Sequence, residues 1–186
     1  MFQYVTVFAL FLCGINSQII RSGKCPDVPV QKIVNVNKFN GVWYEAERSP
    51  IRFEDGGSCT KHSFTPVSNL KLHVLISQLL RKSGQTRLIE GSATLINKAD
   101  EAKFTVNLNI GPGSRPTPYW VLEVNFNEYL ALWSCSQIDA NTYAEFSIIL
   151  ARSRNPSQEI LNKARCAYDR NNISRKEFQK VDQNNC

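Results

Sequence analysis

Hydrophobic and polar residues alternate with a period of two along two stretches of the chain. Leu70, Leu72, Val74 and Ile76 alternate with Lys71, His73, Leu75 and Ser77, and Phe104, Val106, Leu108 and Ile110 alternate with Lys103, Thr105, Asn107 and Asn109. That period gives one apolar face and one wet face, as in a half-buried strand. Turn residues delimit eight strand-like runs, at residues 41–47, 60–65, 70–80, 86–96, 103–110, 119–125, 129–136 and 142–151. Pro66, the Arg81-Lys82-Ser83-Gly84 segment, Asn97-Lys98-Ala99-Asp100 and Gly111-Pro112-Gly113 end four of them. Residues 18–37 read as an irregular arm fixed by Cys25-Pro26 and Pro29.

One helix follows the last run. Asn155 is its expected cap, Pro156 suits the first helical position, and Gln158 can complete a capping box. Ile160, Leu161, Ala164, Ala167 and Tyr168 share one face, which should pack outside the sheet. The late runs Trp120-Val121-Leu122 and Leu130-Ala131-Leu132-Trp133 are apolar on both faces, as expected if one lines an interior and the other lies under this helix. Cys166 falls on the opposite, exposed side. The expected class is therefore all-β: an eight-stranded antiparallel up-and-down barrel with one C-terminal α-helix packed outside. Alternation alone does not separate it from a sandwich.

The start of the chain changes the compartment. Met1 to Cys13 carries no charged side chain and is too short an apolar run to span a bilayer, and Gly14 and Ser17 follow it. Residues 1–17 are expected to be a secretory leader and residues 18–186 a single domain. No later run is long enough for a transmembrane segment. Cys13 leaves with the leader, so Cys25, Cys59, Cys135, Cys166 and Cys186 remain for an oxidising environment. Spacing leaves their pairing open, with one left over, and the exposed Cys166 is the expected free thiol. Only His62 and His73 could supplement these thiols, and no Cys-x-x-Cys occurs, so no metal site is expected. The net charge of +6 is spread thinly, without the basic face and stacking aromatics of a nucleic-acid binder.

Trp43 near the beginning and Arg152 at the end of the last run bracket the sheet. A guanidinium over an indole would plug one end of a barrel, with Gly41 beside it, as a fold element rather than a ligand site. Glu45 shares the parity of Trp43 and should point inward, where Arg152 or a tyrosine hydroxyl could partner it.

With these residues in view, the chain resembles the lipocalins, closest to the branch of apolipoprotein D, Lazarillo and the insect bilin-binding proteins. Phe39-Asn40-Gly41-Val42-Trp43-Tyr44-Glu45 matches the first family motif and Arg152 the third. Arg87 to Ala93, Pro118-Tyr119-Trp120-Val121-Leu122, and Tyr129 through Trp133-Ser134-Cys135 match the branch. The second motif departs from the pattern: Val124-Asn125-Phe126 stands where the family has Thr-Asp-Tyr, with the charge and the hydroxyl gone. The resemblance implies receptor contact or closed-end structure for that motif, and disulfides Cys25–Cys135 and Cys59–Cys186.

If Cys135 reaches an outer arm, Trp133 and Ala131 point outward, and Leu130, Leu132 and Ser134 inward. Arg152 facing Trp43 likewise puts Ala144, Phe146, Ile148 and Leu150 inside. The expected ligand-lining set is Val74, Ile76, Ile89, Ala93, Phe104, Val106, Leu108, Ile110, Tyr119, Val121, Leu132, Ser134, Phe146 and Ile148. Gly91, Ala93, Ser134 and Ala144 are small enough among them to leave room for a guest. Arg52, Arg81, Lys82, Arg87 and Arg115 should ring the open end, a portal suited to an amphipathic anion.

The expected function is that of a secreted carrier of a small hydrophobic ligand: a fatty acid, retinoid, sterol or bilin. No cofactor is required, although a bilin or lipid could remain bound. A ligand-isomerising enzyme is the first alternative. It would need an activated thiol or hydroxyl inside; the resemblance puts Cys59 in a bridge, and no histidine looks well placed to activate one. The second is an interaction module, with a cell-surface receptor or a homodimer through Cys166 as partner. Asn172-Ile173-Ser174 is a complete glycosylation sequon.

Overall fold

Strands with one apolar face must bury it, and a sheet that curls until its last strand meets its first buries all of them without leaving an edge. The computed structural model describes residues 18–32, 35–96 and 101–186, and of Arg52 the backbone alone. The leader read at residues 1–17 and the turn at 97–100 lie outside the described residues. The elements are β1 (Ile19–Ser22), β2 (Gly41–Arg48), β3 (Gly57–Ser68), β4 (Lys71–Leu80), β5 (Thr86–Leu95), β6 (Lys103–Leu108), β7 (Thr117–Asn125), β8 (Tyr129–Gln137), β9 (Thr142–Ala151), α1 (Gln158–Arg170) and β10 (Gln179–Lys180). Strands β2 to β9 pair antiparallel in chain order, and β9 returns to β2 through Tyr44↔Ala151 and Arg48↔Ile148. The sheet is a closed eight-stranded barrel, not a sandwich.

Two short strands were not visible as alternation. β1 lies within the stretch read as an irregular arm and pairs Ile19 with Glu145 and Ser22 with Thr142, on the half of β9 that extends past β2. β10 pairs Lys180 with Glu47. Both form because a neighbouring strand offers free backbone groups. β3 runs through Pro66, which pairs with Leu72, and a register shift between Pro66 and Ser68 absorbs the missing N–H. β6 stops at Leu108, two residues short of the expected end.

Side-chain parity divides the buried residues into two cores. Leu130, Leu132, Phe146, Ile148 and Leu150 join Trp43, Val74, Ile76 and Phe104 inside the barrel. Ala131, Trp133, Cys135, Ile149 and Ala151 meet Leu161, Ala164, Ala167 and Tyr168 of α1 outside it. The Tyr168 hydroxyl lies 2.8 Å from both the Leu132 and Ile148 carbonyls, anchoring the helix to the paired strands. The helix cap is Ser157, whose hydroxyl accepts from the Ile160 N–H, rather than Asn155. That shift of frame also removes Gln158 from the capping-box position. Cys166 is exposed and unbridged. Disulfides Cys25–Cys135 and Cys59–Cys186 tie the N-terminal arm to β8 and β3 to the C-terminal segment.

At one barrel end Trp43 is fully buried and donates its indole N–H to the Phe39 carbonyl at 2.8 Å. Arg152 covers its ring at 3.7 Å and donates to the carbonyls of Phe126, Val42 and Lys38. Gly41 approaches so closely that a Cβ there would stand 3.2 Å from the guanidinium. The residues of the altered second motif serve this end. Phe126 packs edge-on against Phe39, and Asn125 bonds within its own turn to Asn127 and Glu128.

Candidate ligand chamber

Inside the barrel, apolar side chains leave a narrow chamber of about 40 Å³. Val74, Ile76, Ala93, Phe104, Val106, Leu108, Tyr119, Val121 and Leu132 of the expected set line it. Phe39, His62, Phe64, Leu72 and Leu130 line it as well and were not in that set. Parity along β3 would have found His62 and Phe64, which alternate with Lys61, Ser63 and Thr65. Phe39 comes from the 3-10 turn Val36–Phe39 beneath the barrel, where no period points to it.

The remaining expected residues lie elsewhere. Ile110 is 48% exposed, because β6 has ended and the chain turns outward, its N–H held by the Ser114 hydroxyl and the Leu108 carbonyl. Ile89, Phe146 and Ile148 face inward but fill the core, Phe146 packing against the Tyr119 ring at 5.2 Å. Ser134 is buried opposite Phe146 in the β8–β9 ladder.

A polar layer adjoins the chamber, where the connection after β2 folds inward. Ile51 and Glu54 of that connection are fully buried. The Glu54 backbone carbonyl accepts from Arg48 at 3.0 Å and from the Gln78 amide at 2.7 Å. Glu45 does point inward, but its partners are Arg48 and His62, not Arg152. The Arg48 Nε lies 2.9 Å from one Glu45 oxygen, and the His62 Nε2 lies 3.0 Å from the other. Burial pushes Glu45 up to about 7 against the pull of Arg48. Burial, reinforced by Glu45, pushes Glu54 well above the usual carboxylate range. Burial lowers His62 and keeps it neutral. Ligating atoms of Glu45, Glu54 and His62 lie within 4.8 Å of one another, a cluster the expectation of no metal site had not foreseen.

A family model described as the lipocalin / cytosolic fatty-acid binding protein family matches residues 40–185. The chain belongs to the lipocalin family. Apolipoprotein D of Cavia porcellus is 33% identical to this lipocalin over 187 residues, covering 100% of this chain and 96% of its own length. Apolipoprotein D of Macaca fascicularis is 36% identical over 171 residues, covering 92% and 88%. The crystal structure of lobster apocrustacyanin A1 has a TM-score of 0.76 at 21% identity over 90% of this chain and 92% of that one, a likeness of fold.

The basic rim expected of this lipocalin is unevenly realised. Lys82 and Arg115 are exposed. Arg81 is paired with Asp182 at 2.9 Å, and Arg87 turns to the Gln78 side chain. The side chain of Arg52 lies outside the described residues. Among the described residues, His62 and Tyr119 are the polar side chains of the chamber wall, and the buried carboxylates Glu45 and Glu54 lie behind His62. No described helix is long and apolar enough to cross a membrane.

Proposed function

We propose that this lipocalin is a secreted carrier that holds a small hydrophobic ligand in the barrel chamber. The observation that carries the reading is the chamber itself, walled by side chains from β3 to β8 with Phe39 as its floor. Burying apolar ligand surface there contributes about 25 cal/mol per Å² before the cost of association. The space open to the centre of a water-sized sphere is only about 40 Å³, so a bulky guest must displace side chains. Flexible chains and slim rings suit such a site better than wide rigid ones. The proposed guests are accordingly a fatty-chain lipid, a retinoid or a sterol, with a bilin the widest. Secretion is supported by two intrachain disulfides, which suit an oxidising compartment.

The test is to extract and weigh whatever copurifies with the native protein, and to record its visible spectrum for a bilin band. Titration with an environment-sensitive apolar dye should show saturable binding. Ala93→Phe, which fills the chamber from β5, should weaken it at least about tenfold. Equal binding by wild type and this variant would place the ligand elsewhere. Asn172, exposed just after α1, is proposed as a glycosylation site, to be read as a mass shift on glycosidase treatment.

A further inference from the structure

The polar layer has more acceptors than the protein satisfies. Both Glu54 carboxylate oxygens and Oε1 of Glu45 are buried with no N–H donor of good geometry, and the two carboxyl groups meet only each other, across a shared proton. The Arg48 Nε stands 2.9 Å from Glu45 and 3.3 Å from Glu54, badly aimed at both. Tyr119 supplies a separate observation from the chamber side. It is 7% exposed and lines the wall, and its hydroxyl makes no hydrogen bond among the described residues. Burial and the nearby charges of Glu54 and Glu45 hold that hydroxyl protonated, which places it within their field. His62, also on the wall, uses one ring nitrogen on Glu45. Its other nitrogen has no partner among the described residues.

The charges say what is missing. With His62 held neutral by burial, two carboxylates share one guanidinium, so when both ionise the layer holds one uncompensated negative charge. Arg87 does not balance it: it is half-exposed, bonds Gln78, and is not among the groups that shift either glutamate. In the unliganded protein burial places a proton on the pair instead. A divalent ion would overcompensate beside Arg48, which already sits between the two carboxylates. A singly charged group with several N–H donors matches both the charge and the empty acceptors.

We propose that this layer is a head-group subsite of the chamber and that it takes a primary ammonium carried on an apolar body. The ammonium donates to Glu54 and Glu45 in place of the shared proton, which leaves to solvent, and the Tyr119 oxygen accepts the remaining N–H. The body lies along Phe39, Phe64 and Phe104. This rests on the carrier reading above and names the ligand class for the same chamber.

The experiment compares 1-decylamine, 1-decanol and decanoate on the full chain at neutral pH by displacement of a neutral apolar dye, with calorimetry in buffers of different ionisation enthalpy. The amine should bind about tenfold tighter than the alcohol, and the acid no tighter than the alcohol. Amine binding should release protons, whereas alcohol binding should not. Glu54→Gln should bring the amine-to-alcohol ratio to about one, with near-ultraviolet circular dichroism reporting that the barrel is intact. Tyr119→Phe, which keeps the ring, should lower the ratio by a smaller factor. An amine that binds no tighter than the alcohol, or a ratio unchanged in Glu54→Gln, overturns the subsite and leaves the carrier intact. Failure of the dye and all three probes to bind overturns the carrier reading itself, and the subsite with it.

Discussion

The Arg152 guanidinium lies 3.7 Å from the centre of the Trp43 ring, and its donors reach the carbonyls of Phe126, Val42 and Lys38. One side chain thus joins the turn after β7, the start of β2 and the segment that enters it. Arg152→Met should destabilise the fold by about 2–3 kcal/mol, from the lost cation–π contact and the orphaned carbonyls. Arg152→Lys should recover less than half, because an ammonium lacks the planar fork. Urea denaturation of the three proteins decides this. Equal midpoints would mean that the end of the barrel is held by apolar packing alone.

Two glycines should respond differently to alanine. Gly41 has φ +100°, and its added Cβ would meet a flexible guanidinium at 3.2 Å, so Gly41→Ala should cost about 1–2 kcal/mol. At Gly91 the added Cβ would stand 2.0 Å from the Asn107 backbone oxygen of β6. A strand cannot swing away as a side chain can. Gly91→Ala should therefore cost more, about 2–4 kcal/mol, and lower amide protection along the β5–β6 pair. The reverse order in melting temperature would refute the packing argument.

Stability should depend on pH through the polar layer. The folded Glu45 sits at about 7 against an ordinary value of 4.5, and Glu54 is also raised well above its ordinary value. Each binds its proton more tightly folded than unfolded, so its contribution is full below pH 4.5 and is lost as pH rises through the folded value. His62 acts in the opposite sense: its pKa is lowered from 6.5, so it costs stability only as pH falls below that value. Above pH 6.5 the glutamates act alone. Stability should fall between there and about pH 8, by about 1 kcal/mol from Glu45, with Glu54 acting in the same direction. Glu54→Gln should flatten that slope. A wild-type slope of zero in this interval would mean that the layer ionises freely.

Cys166 should be the reactive thiol of residues 18–186. It is exposed on α1, and the other four cysteines are bridged. Folded protein comprising residues 18–186 should react with one equivalent of a thiol reagent, and its Cys166→Ser variant with none. Non-reducing electrophoresis of the same pair tests the covalent dimer directly: a band at twice the mass that persists in Cys166→Ser would assign the link to another cysteine.

The eight barrel strands were legible because each carries a period and ends in turn chemistry, and the parity of Cys135 and Arg152 sorted β8 and β9 correctly into an inner and an outer face. The same pattern could not reveal β1 and β10, whose side chains carry no periodic signal and whose order comes from pairing. Ser157 and Asn155 are both good caps, and only the backbone chooses between them. The chamber was only partly legible where strands supply it, since Phe64, Leu72 and Leu130 were not in the expected set, and obscure where connections do. Glu54 stands in a loop sequence that reads as solvent-exposed, yet tertiary folding buries it beside Glu45. His62 was not read as a lining residue, although the alternation of β3 would have placed it there, and a lone histidine in an apolar wall carries no sign of the glutamate behind it.

The inward fold of the connection after β2 has a consequence for timing. With Ile51 fully buried and the Glu54 carbonyl held by Arg48 and Gln78, a guest enters or leaves that way only when these contacts open together. Association would then be limited by how often the connection lifts, independently of ligand concentration once ligand is abundant. Release would be slowed by the same barrier, so a loaded barrel would keep its cargo through dilution for longer than its affinity alone implies.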